Sequence, residues 1–443
     1  MNRTVEASLE GLYDALDNEA PLDIDSAADR ALYVDSLHSN EGINPVDELL
    51  FQLKRSKSTG TWFFTGHRGV GKSTELRRVA HEMRQAGHVA VVADMGEYLN
   101  LAEEISVELL LLTMMAALSE EAERLLGANP LERNFMARVR DYLTRTEVQV
   151  TELGAAVDGA GAKLNAKAVF KDNPVLRERV LKAVRSSLGD FVAEVRGFAA
   201  EVVGRIQAAK PGAKVVLILD SLERLRFGGI DAAKRYDAIQ QTFDTYAEYL
   251  KFETLNVVYS IPPYLTHLAP KLGSYFGVGI CTLPHVKVFE RPQPKQPKDQ
   301  PYRPGVQAML DSLARRFPQP ERVMDAALLE RLVLASSGSM REFFRLVRTA
   351  ATKAILAKAG LPMADSRWVA AAEQELRNEM PLAEQDVIWL KKVRASHGTG
   401  LDKIENLPSL ARLFDSGLIL GYRNGADWCD VHALLRAEVD AAP

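Results

Sequence analysis

Residues 66–73 (GHRGVGKS) place glycine, lysine and serine at the spacing G-x-x-x-x-G-K-[ST], which is typical of a phosphate-binding loop, or P-loop. The glycines of such a loop allow backbone N–H groups to surround a β-phosphate, and the following helix start adds positive potential. We expect Lys72 to neutralise β- and γ-phosphate oxygens and the Ser73 hydroxyl to bind Mg²⁺. A loop that has lost nucleotide binding is the alternative. The expected nucleotide contacts in this loop are Gly66, His67, Arg68, Gly69, Val70, Gly71, Lys72, Ser73 and Thr74.

Two carboxylates lie at the end of an apolar run, VVLILD at 215–220. Asp220 is the last residue of the run, and Glu223 follows three residues later. A buried strand that ends in Asp220 would deliver one carboxylate to the phosphate-binding edge of a sheet, where it holds Mg²⁺ through water. Glu223 lies one turn further on and could orient a water for in-line attack on the γ-phosphate. The alternatives are an Asp220 that caps a turn and an exposed Glu223 that pairs with Arg224 or Arg226.

Ser260 and Arg341 are the further candidates for reporting the γ-phosphate. Ser260 ends the apolar run TLNVVYS and is expected at the same sheet edge as Asp220, although serine is also an ordinary turn residue. Arg341 opens a helix after Gly338-Ser339-Met340 and could reach the γ-phosphate, so that hydrolysis becomes a domain motion. The alternative for Arg341 is a solvated basic face shared with Arg345 and Arg348.

The elements that must position these residues follow from hydrophobic periodicity. Apolar runs predict five strands, at 61–65, 88–95, 214–219, 254–260 and 284–289. Helical patterns alternate with them, from Lys72 onward and at 101–118 and 231–251. This alternation predicts an α/β fold of the P-loop NTPase type with a five-stranded, mainly parallel sheet.

The remaining segments predict a division into domains. We expect a helical segment at 1–50, a P-loop domain at 51–290 with a helical insertion at 119–210, and a proline-rich linker at 291–305. A helical lid is expected at 306–380, and a winged helix at 381–443, where Asn424-Gly425 predicts a hairpin turn.

Composition and charge exclude several classes of protein. The chain has 443 residues, of which 47% are apolar and 26% charged, so it can bury a core and is not disordered. A net charge of -4 argues against a general polyanion binder. Cys281 and Cys429 lack the spacing of a disulfide framework or a zinc site. With no signal peptide and no apolar run longer than 109–118, a cytoplasmic protein without a membrane span is expected.

These motifs together resemble the AAA+/STAND group of P-loop ATPases. GHRGVGKSTEL at 66–76 is similar to their Walker A motif, and LILDSLERL at 217–225 resembles a NACHT-type Walker B motif. Ser260 resembles a sensor 1 residue, and GSMR at 338–341 resembles the sensor 2 of origin-recognition-like proteins. The resemblance implies a slow ATPase with ATP and Mg²⁺ as cofactors and Lys72, Glu223 and Arg341 as catalytic residues. Its lid and winged helix would pack or release with nucleotide state.

Three functions are open at this point. The first is a regulatory ATPase of bacterial stress or antiviral defence that signals through a protein partner or effector. The second is a DNA-associated loader or transposition helper, and the third is a nucleotide-dependent scaffold without turnover. Residues 382–443 carry seven Lys and Arg against nine Asp and Glu, a net charge of -2, which favours a protein partner over duplex DNA. The sequence also leaves open whether the chain forms a homo-oligomer.

Overall fold

Two units of the chain are defined by the contacts within a computed structural model. One unit contains Met1–Glu48, Gly66–Glu75 and Thr282–Pro443, and the other contains Leu49–Thr65 and Leu76–Cys281. The structure describes residues 8–17, 20–39, 43–101, 103–126, 135–145, 170–224, 232–293, 299–424 and 426–442. The domain boundaries predicted from the sequence remain predictions.

Strands and helices alternate through the first two thirds of the described residues, and helices dominate the rest. The strands are β1 (Thr61–Gly66), β2 (Val89–Asp94), β3 (Val215–Asp220), β4 (Asn256–Ile261), β5 (Ile280–Leu283), β6 (Ile419–Asn424) and β7 (Ala426–Val431). The first helices are α1 (Leu9–Ala15), α2 (Ala27–Leu32), α3 (Pro45–Arg55), α4 (Lys72–Gln85), α5 (Val107–Leu126), α6 (Phe135–Arg145), α7 (Pro174–Ser186), α8 (Leu188–Ala209) and α9 (Ala232–Gln240). They are followed by α10 (Leu265–Leu268), α11 (Leu272–Phe276), α12 (Arg303–Arg316), α13 (Ala326–Ala335), α14 (Met340–Leu356), α15 (Ser366–Asn378), α16 (Glu384–Ser396), α17 (Leu407–Asp415) and α18 (Arg436–Ala441).

The predicted α/β sheet is present, with five strands in the order β2-β3-β4-β1-β5. The pairings β2–β3, β3–β4 and β4–β1 are parallel. Every residue of β1, β3 and β4 is buried, as expected for continuous apolar runs covered on both faces. Because parallel strands end at the same edge, the register places Phe64 beside Ser260 and Asp94 beside Asp220 at the carboxyl edge.

The fifth strand corrects the sequence prediction. It covers Ile280–Leu283 instead of 284–289. Pro284 has no N–H to donate to a ladder, so the strand ends before it. The residues after Pro284 form single backbone hydrogen bonds instead, from His285 N to Gly421 O (2.9 Å) and from Val286 N to Gly338 O (3.2 Å).

Other predicted boundaries also shift. The helix predicted over 231–251 ends at Gln240 and continues as a π-helical turn at Gln241–Thr245 and a 3-10 turn at Ala247–Leu250. The helix after the predicted linker begins at Arg303, inside the range 291–305. Its proline is tolerated because the first turn of a helix needs no N–H from that position.

The helices after residue 303 bury amphipathic faces against one another. In α14, Phe343, Leu346, Val347, Ala350 and Ala354 lie on the buried face. This helix packs against α1, α13 and α15. The 3.6-residue period of its apolar positions is the pattern from which a helical region was predicted.

The hairpin expected near the carboxyl terminus is present. Strands β6 and β7 are antiparallel, with Tyr422 opposite Trp428, and they flank residue 425. Gly425, which belongs to the predicted turn, lies outside the described residues. Helix α17 precedes the hairpin and packs against β6.

Helices α6, α7 and α8 and the end of α5 occupy the described part of the predicted insertion at 119–210. The long α5 is buried along most of its length and packs against α8. The Gly/Ala-rich patch at 154–163 lies outside the described residues. No helix in the described ranges has both the length and the apolar character that a membrane span requires.

Candidate nucleotide-binding site

The loop between β1 and α4 has the backbone form that its glycines predict. Gly69 and Gly71 have φ of 85° and 95°, a region that residues with a Cβ rarely adopt. Residues with this left-handed backbone allow the N–H groups of a loop to face one side and form an anion-binding concavity. The loop then enters α4 at Lys72, so the helix start adds its positive potential there.

Lys72 and Ser73 are both buried, with 5% and 9% of their surface exposed. The Lys72 ammonium donates a hydrogen bond to the carbonyl of His67 at 2.7 Å. A buried ammonium requires acceptors, and the loop backbone supplies one here. Thr74, another expected contact, accepts the N–H of Leu22 on its hydroxyl at 3.2 Å.

The amino-terminal segment 20–39 contacts the same loop. The Tyr33 hydroxyl donates to Glu75 at 2.9 Å, in the first turn of α4. The imidazole Nε2 of His38 lies 3.7 Å from the point where Gly71 would carry a Cβ. The sequence predicted a helical segment at 1–50, and no local pattern within it marks these contacts with the loop.

The GSMR segment reaches the loop as well. Ser339 caps α14 by accepting the N–H of Glu342. Its hydroxyl lies 3.1 Å from the Cβ position of Gly69, and the Cβ of Arg341 lies 3.8 Å from it. Arg341 is therefore brought beside the predicted phosphate loop, within the same unit of the chain.

The two other arginines of that helix face have different partners. Arg345 forms an ion pair with Glu379. Arg348 lies 3.5 Å from Asp17 and stacks over Tyr13. Both side chains therefore join helical segments, and the idea of one solvated basic face does not describe them.

In the other unit, polar residues near the carboxyl ends of β3 and β4 lie at the carboxyl edge of the sheet. Asp220 is buried and accepts the N–H of Ser221 at 2.7 Å. The Ser260 hydroxyl accepts the N–H of Leu222 at 3.1 Å, so it holds the turn after Asp220. The register places Asp220 and Ser260 at one edge, as expected from the sequence.

Ser221 has an unusual backbone for a residue with a side chain. Its φ is 73°, and conformations of this kind concentrate at functional sites because surrounding structure must hold them. The Ser221 hydroxyl is buried without a hydrogen-bond partner in the described part of the chain. A buried, unsatisfied hydroxyl beside a carboxylate fits a place for water or a ligand.

Glu223 lies in a 3-10 turn at Leu222–Arg224. Its side chain is outside what the structure describes. Its predicted role in activating a water therefore stays a prediction.

A group of rings that sequence analysis did not find surrounds His67. Its imidazole stacks on Phe414 with centroids 4.1 Å apart and lies 5.8 Å from the ring of His285. Burial, followed by the charges of His285 and Lys72, lowers the pKa of His67 well below its ordinary value. Burial likewise lowers the pKa of His285 to about 4. Both imidazoles are therefore neutral near pH 7.

The residues present fit a magnesium nucleotide by their chemistry. The Ser73 hydroxyl is a hard oxygen donor, which Mg²⁺ prefers, and the predicted role of Asp220 as a second donor stays a prediction. The glycine turns of the loop and the buried Lys72 ammonium suit a polyphosphate. Among the described residues, no group of three or more His, Cys, Asp or Glu side chains is arranged to hold a metal by itself.

Comparison with known proteins gives structural similarity alone. The chain is similar to Aeropyrum pernix ORC1 in complex with DNA, with a TM-score of 0.38, 11% identity and 97% of each chain covered. It is also similar to Aeropyrum pernix ORC2 in ADPNP-ADP complexes, with a TM-score of 0.39 and 12% identity over 93% of this chain and 96% of that one. A variant of Thermotoga maritima RuvB gives a TM-score of 0.37 and 14% identity over 90% of this chain and 93% of that one. A scan of protein-family models and a search of curated proteins find no match.

Proposed function

We propose that the protein binds ATP with Mg²⁺ at loop 66–74 and hydrolyses it slowly as a regulatory switch. One observation carries this proposal: the loop follows a buried strand, turns through two left-handed glycines and enters a helix at a buried lysine and serine. Each of these features serves polyphosphate binding, and they occur at the spacing that such binding requires.

The roles of the residues follow from their chemistry. The loop amides and the Lys72 ammonium bind phosphate oxygens, and Ser73 and Asp220 hold the metal. When bound, Mg²⁺ neutralises charge on the phosphates. Glu223 orients the attacking water and accepts its proton. Ser260 supports the turn after Asp220, and from this position it can also respond to the γ-phosphate.

Arg341 supplies the regulatory part of the proposal. Its Cβ lies close to Gly69, and it lies in the first turn of the long helix α14. An arginine that binds the γ-phosphate from this position transmits loss of that phosphate to the helices of its own unit. The output of the switch is then a change in the packing of those helices within their unit.

A protein partner, rather than DNA, receives this output. The arginines after residue 381 are engaged by carboxylates: Arg394 and Arg436 bind Asp430, Arg412 binds Asp386, and Arg423 binds Asp427. A surface that reads duplex DNA needs cationic groups available to phosphates. We assign the switch to signalling through a protein partner, of the kind used in bacterial stress or defence.

Calorimetry with Mg-ATP on the full chain tests binding. We expect Lys72→Ala to weaken binding roughly 10- to 100-fold, because it removes a charge-assisted contact to phosphate. The matched control is Lys54→Ala, since Lys54 pairs with Glu82 on the protein surface. A wild-type protein that binds no Mg-ATP would overturn the proposal.

Turnover separates the switch from a scaffold. Glu223→Gln should reduce the hydrolysis rate roughly 100-fold or more while ATP binding is retained, because the general base is lost. If the wild type binds ATP but neither protein hydrolyses it, the scaffold function replaces the switch. If both hydrolyse it equally, Glu223 is not the base.

A further inference from the structure

The ring of His67, a residue of the P-loop, contacts the carboxyl-terminal region of the chain. It is nearly parallel to Phe414 of α17, with an interplanar angle of 12°. Its Nε2 lies 3.1 Å from the point where Gly421 of β6 would carry a Cβ, so a side chain at that position would displace the ring. We call His67, Phe414, Gly421 and His285 the histidine clamp.

His285 fixes the other side of the clamp. Its N–H donates to the Gly421 carbonyl at 2.9 Å, and the Gly421 N–H donates to its Nδ1 at 3.3 Å. The next residue of β6, Tyr422, donates its hydroxyl hydrogen to the carbonyl of Ser337 at 2.7 Å. The middle of β6 is therefore hydrogen-bonded both to the chain after β5 and to the segment that leads into Arg341.

The backbone of His67 is bound to the lysine that would receive phosphate. Its carbonyl accepts the hydrogen bond of the Lys72 ammonium at 2.7 Å. A phosphate oxygen is a stronger, charged acceptor and competes for the same ammonium. When a phosphate oxygen binds the ammonium, the His67 carbonyl loses this partner, and the backbone that carries the stacked ring loses a restraint.

We propose that His67 couples nucleotide binding in the P-loop to the packing of α17 and β6 against that loop. The inference rests on the proposed function and names the regulation of that site. The histidine clamp favours the loop conformation in which Lys72 is bonded to the His67 carbonyl, and thereby lowers the affinity for nucleotide. Bound nucleotide withdraws Lys72 from that carbonyl and loosens the clamp. His67 acts as a positioning residue in this scheme.

Nucleotide affinity of the full chain tests the coupling. His67→Ala and Phe414→Ala should each raise the affinity for Mg-ATP about two- to tenfold, the range that one stacked aromatic contact accounts for. The double variant should gain no more than either single variant, because both remove the same contact. Phe414→Tyr retains a stacking ring and should stay near the wild-type affinity. Phe414→Leu is the second variant if Phe414→Ala does not fold.

Phe344→Ala is the matched control, because Phe344 is also a partly buried ring of this unit but contacts Arg316 instead of the loop. The affinity of Phe344→Ala for Mg-ATP should equal that of the wild type. Hydrogen exchange of residues 407–431 gives an independent readout: ATP should increase exchange there in the wild type and not in His67→Ala.

The outcomes distinguish this inference from the proposed function. A wild type that does not bind Mg-ATP overturns both. If the wild type binds Mg-ATP but His67→Ala and Phe414→Ala bind it with unchanged or lower affinity, the coupling alone is overturned. The same holds if the effects of the two substitutions simply add in the double variant. If Phe414→Tyr behaves like Phe414→Ala, the coupling is also contradicted, since the stacked ring would then have no effect.

Discussion

Gly338 is the residue at which two segments approach too closely for a side chain. Its φ is 84°, and a Cβ there would lie 1.9 Å from the carbonyl oxygen of Val286. The N–H of Val286 donates to the Gly338 carbonyl at 3.2 Å, so the approach is a specific backbone contact. Because Ser339 and Arg341 follow directly, this glycine determines where they meet Gly69.

We expect Gly338→Ala to lower the free energy of unfolding by about 2–4 kcal/mol. The left-handed backbone costs roughly 1 kcal/mol for alanine, and the clash with Val286 adds the cost of overpacking, about 1–3 kcal/mol. Urea unfolding measures the change. Gly360→Ala is the control, because no atom lies within 4 Å of its Cβ position and its φ is not left-handed. If Gly338→Ala and the wild type have equal urea midpoints, Gly338 does not lie as close to the Val286 carbonyl as described.

Among the elements, the proline-rich segment has an attachment that its composition did not predict. Asp299, near its end, accepts two hydrogen bonds from Arg394 of α16, at 2.9 and 2.5 Å, and one from Arg436 of α18, at 2.6 Å. Both arginines are buried and also contact Asp430. The segment predicted from the sequence as a proline-rich linker therefore ends in an ionic cluster.

Removal of that carboxylate should destabilise the cluster. Asp299→Ala leaves two buried guanidinium groups with fewer acceptors, and we expect a loss of about 1–2 kcal/mol, reduced from the value for a buried pair because Asp299 is partly exposed. The control is Asp402→Ala, whose exposed pair with Lys392 should contribute far less because water screens it. Equal effects of the two substitutions on urea unfolding would contradict a stabilising cluster.

The same carboxylate predicts a pH dependence. Burial raises the pKa of Asp299, but the hydrogen bond from Arg394 and the charges of both arginines outweigh it and lower the pKa below its ordinary value. The folded state therefore binds this proton less readily than the unfolded state, and the contribution is complete above the unfolded pKa. As pH falls through the folded pKa, the stability difference between wild type and Asp299→Ala should shrink. A difference that stays constant through strongly acidic pH would contradict this assignment.

At the scale of the whole molecule, charge is the basis for proposing a protein partner instead of duplex DNA. The net charge is -4, and the arginines of the carboxyl-terminal region are paired with carboxylates. We expect no binding of duplex DNA by fluorescence anisotropy at about 50 mM salt, where electrostatic binding is strong. Affinity in the micromolar range that falls steeply as salt is raised would instead support a DNA-associated ATPase.

The α/β sheet, the P-loop and the helix that starts at Lys72 were predictable from the sequence, as were the hairpin and the amphipathic helices. Hydrophobic periodicity and glycine spacing are local properties, and each acts over fewer than about 20 residues. Because parallel strands end at the same edge of a sheet, Asp220 and Ser260 were both predicted at the carboxyl edge.

Only the tertiary structure revealed that β5 ends before Pro284, that segment 20–39 contacts the loop and that Asp299 has two arginine partners. It likewise revealed that Phe414 stacks on His67, a residue far earlier in the chain. Such contacts depend on close packing between segments that are distant in sequence, and no periodicity within either segment specifies its partner. Local sequence therefore determined the chemistry of the loop, and long-range packing decided which groups surround it.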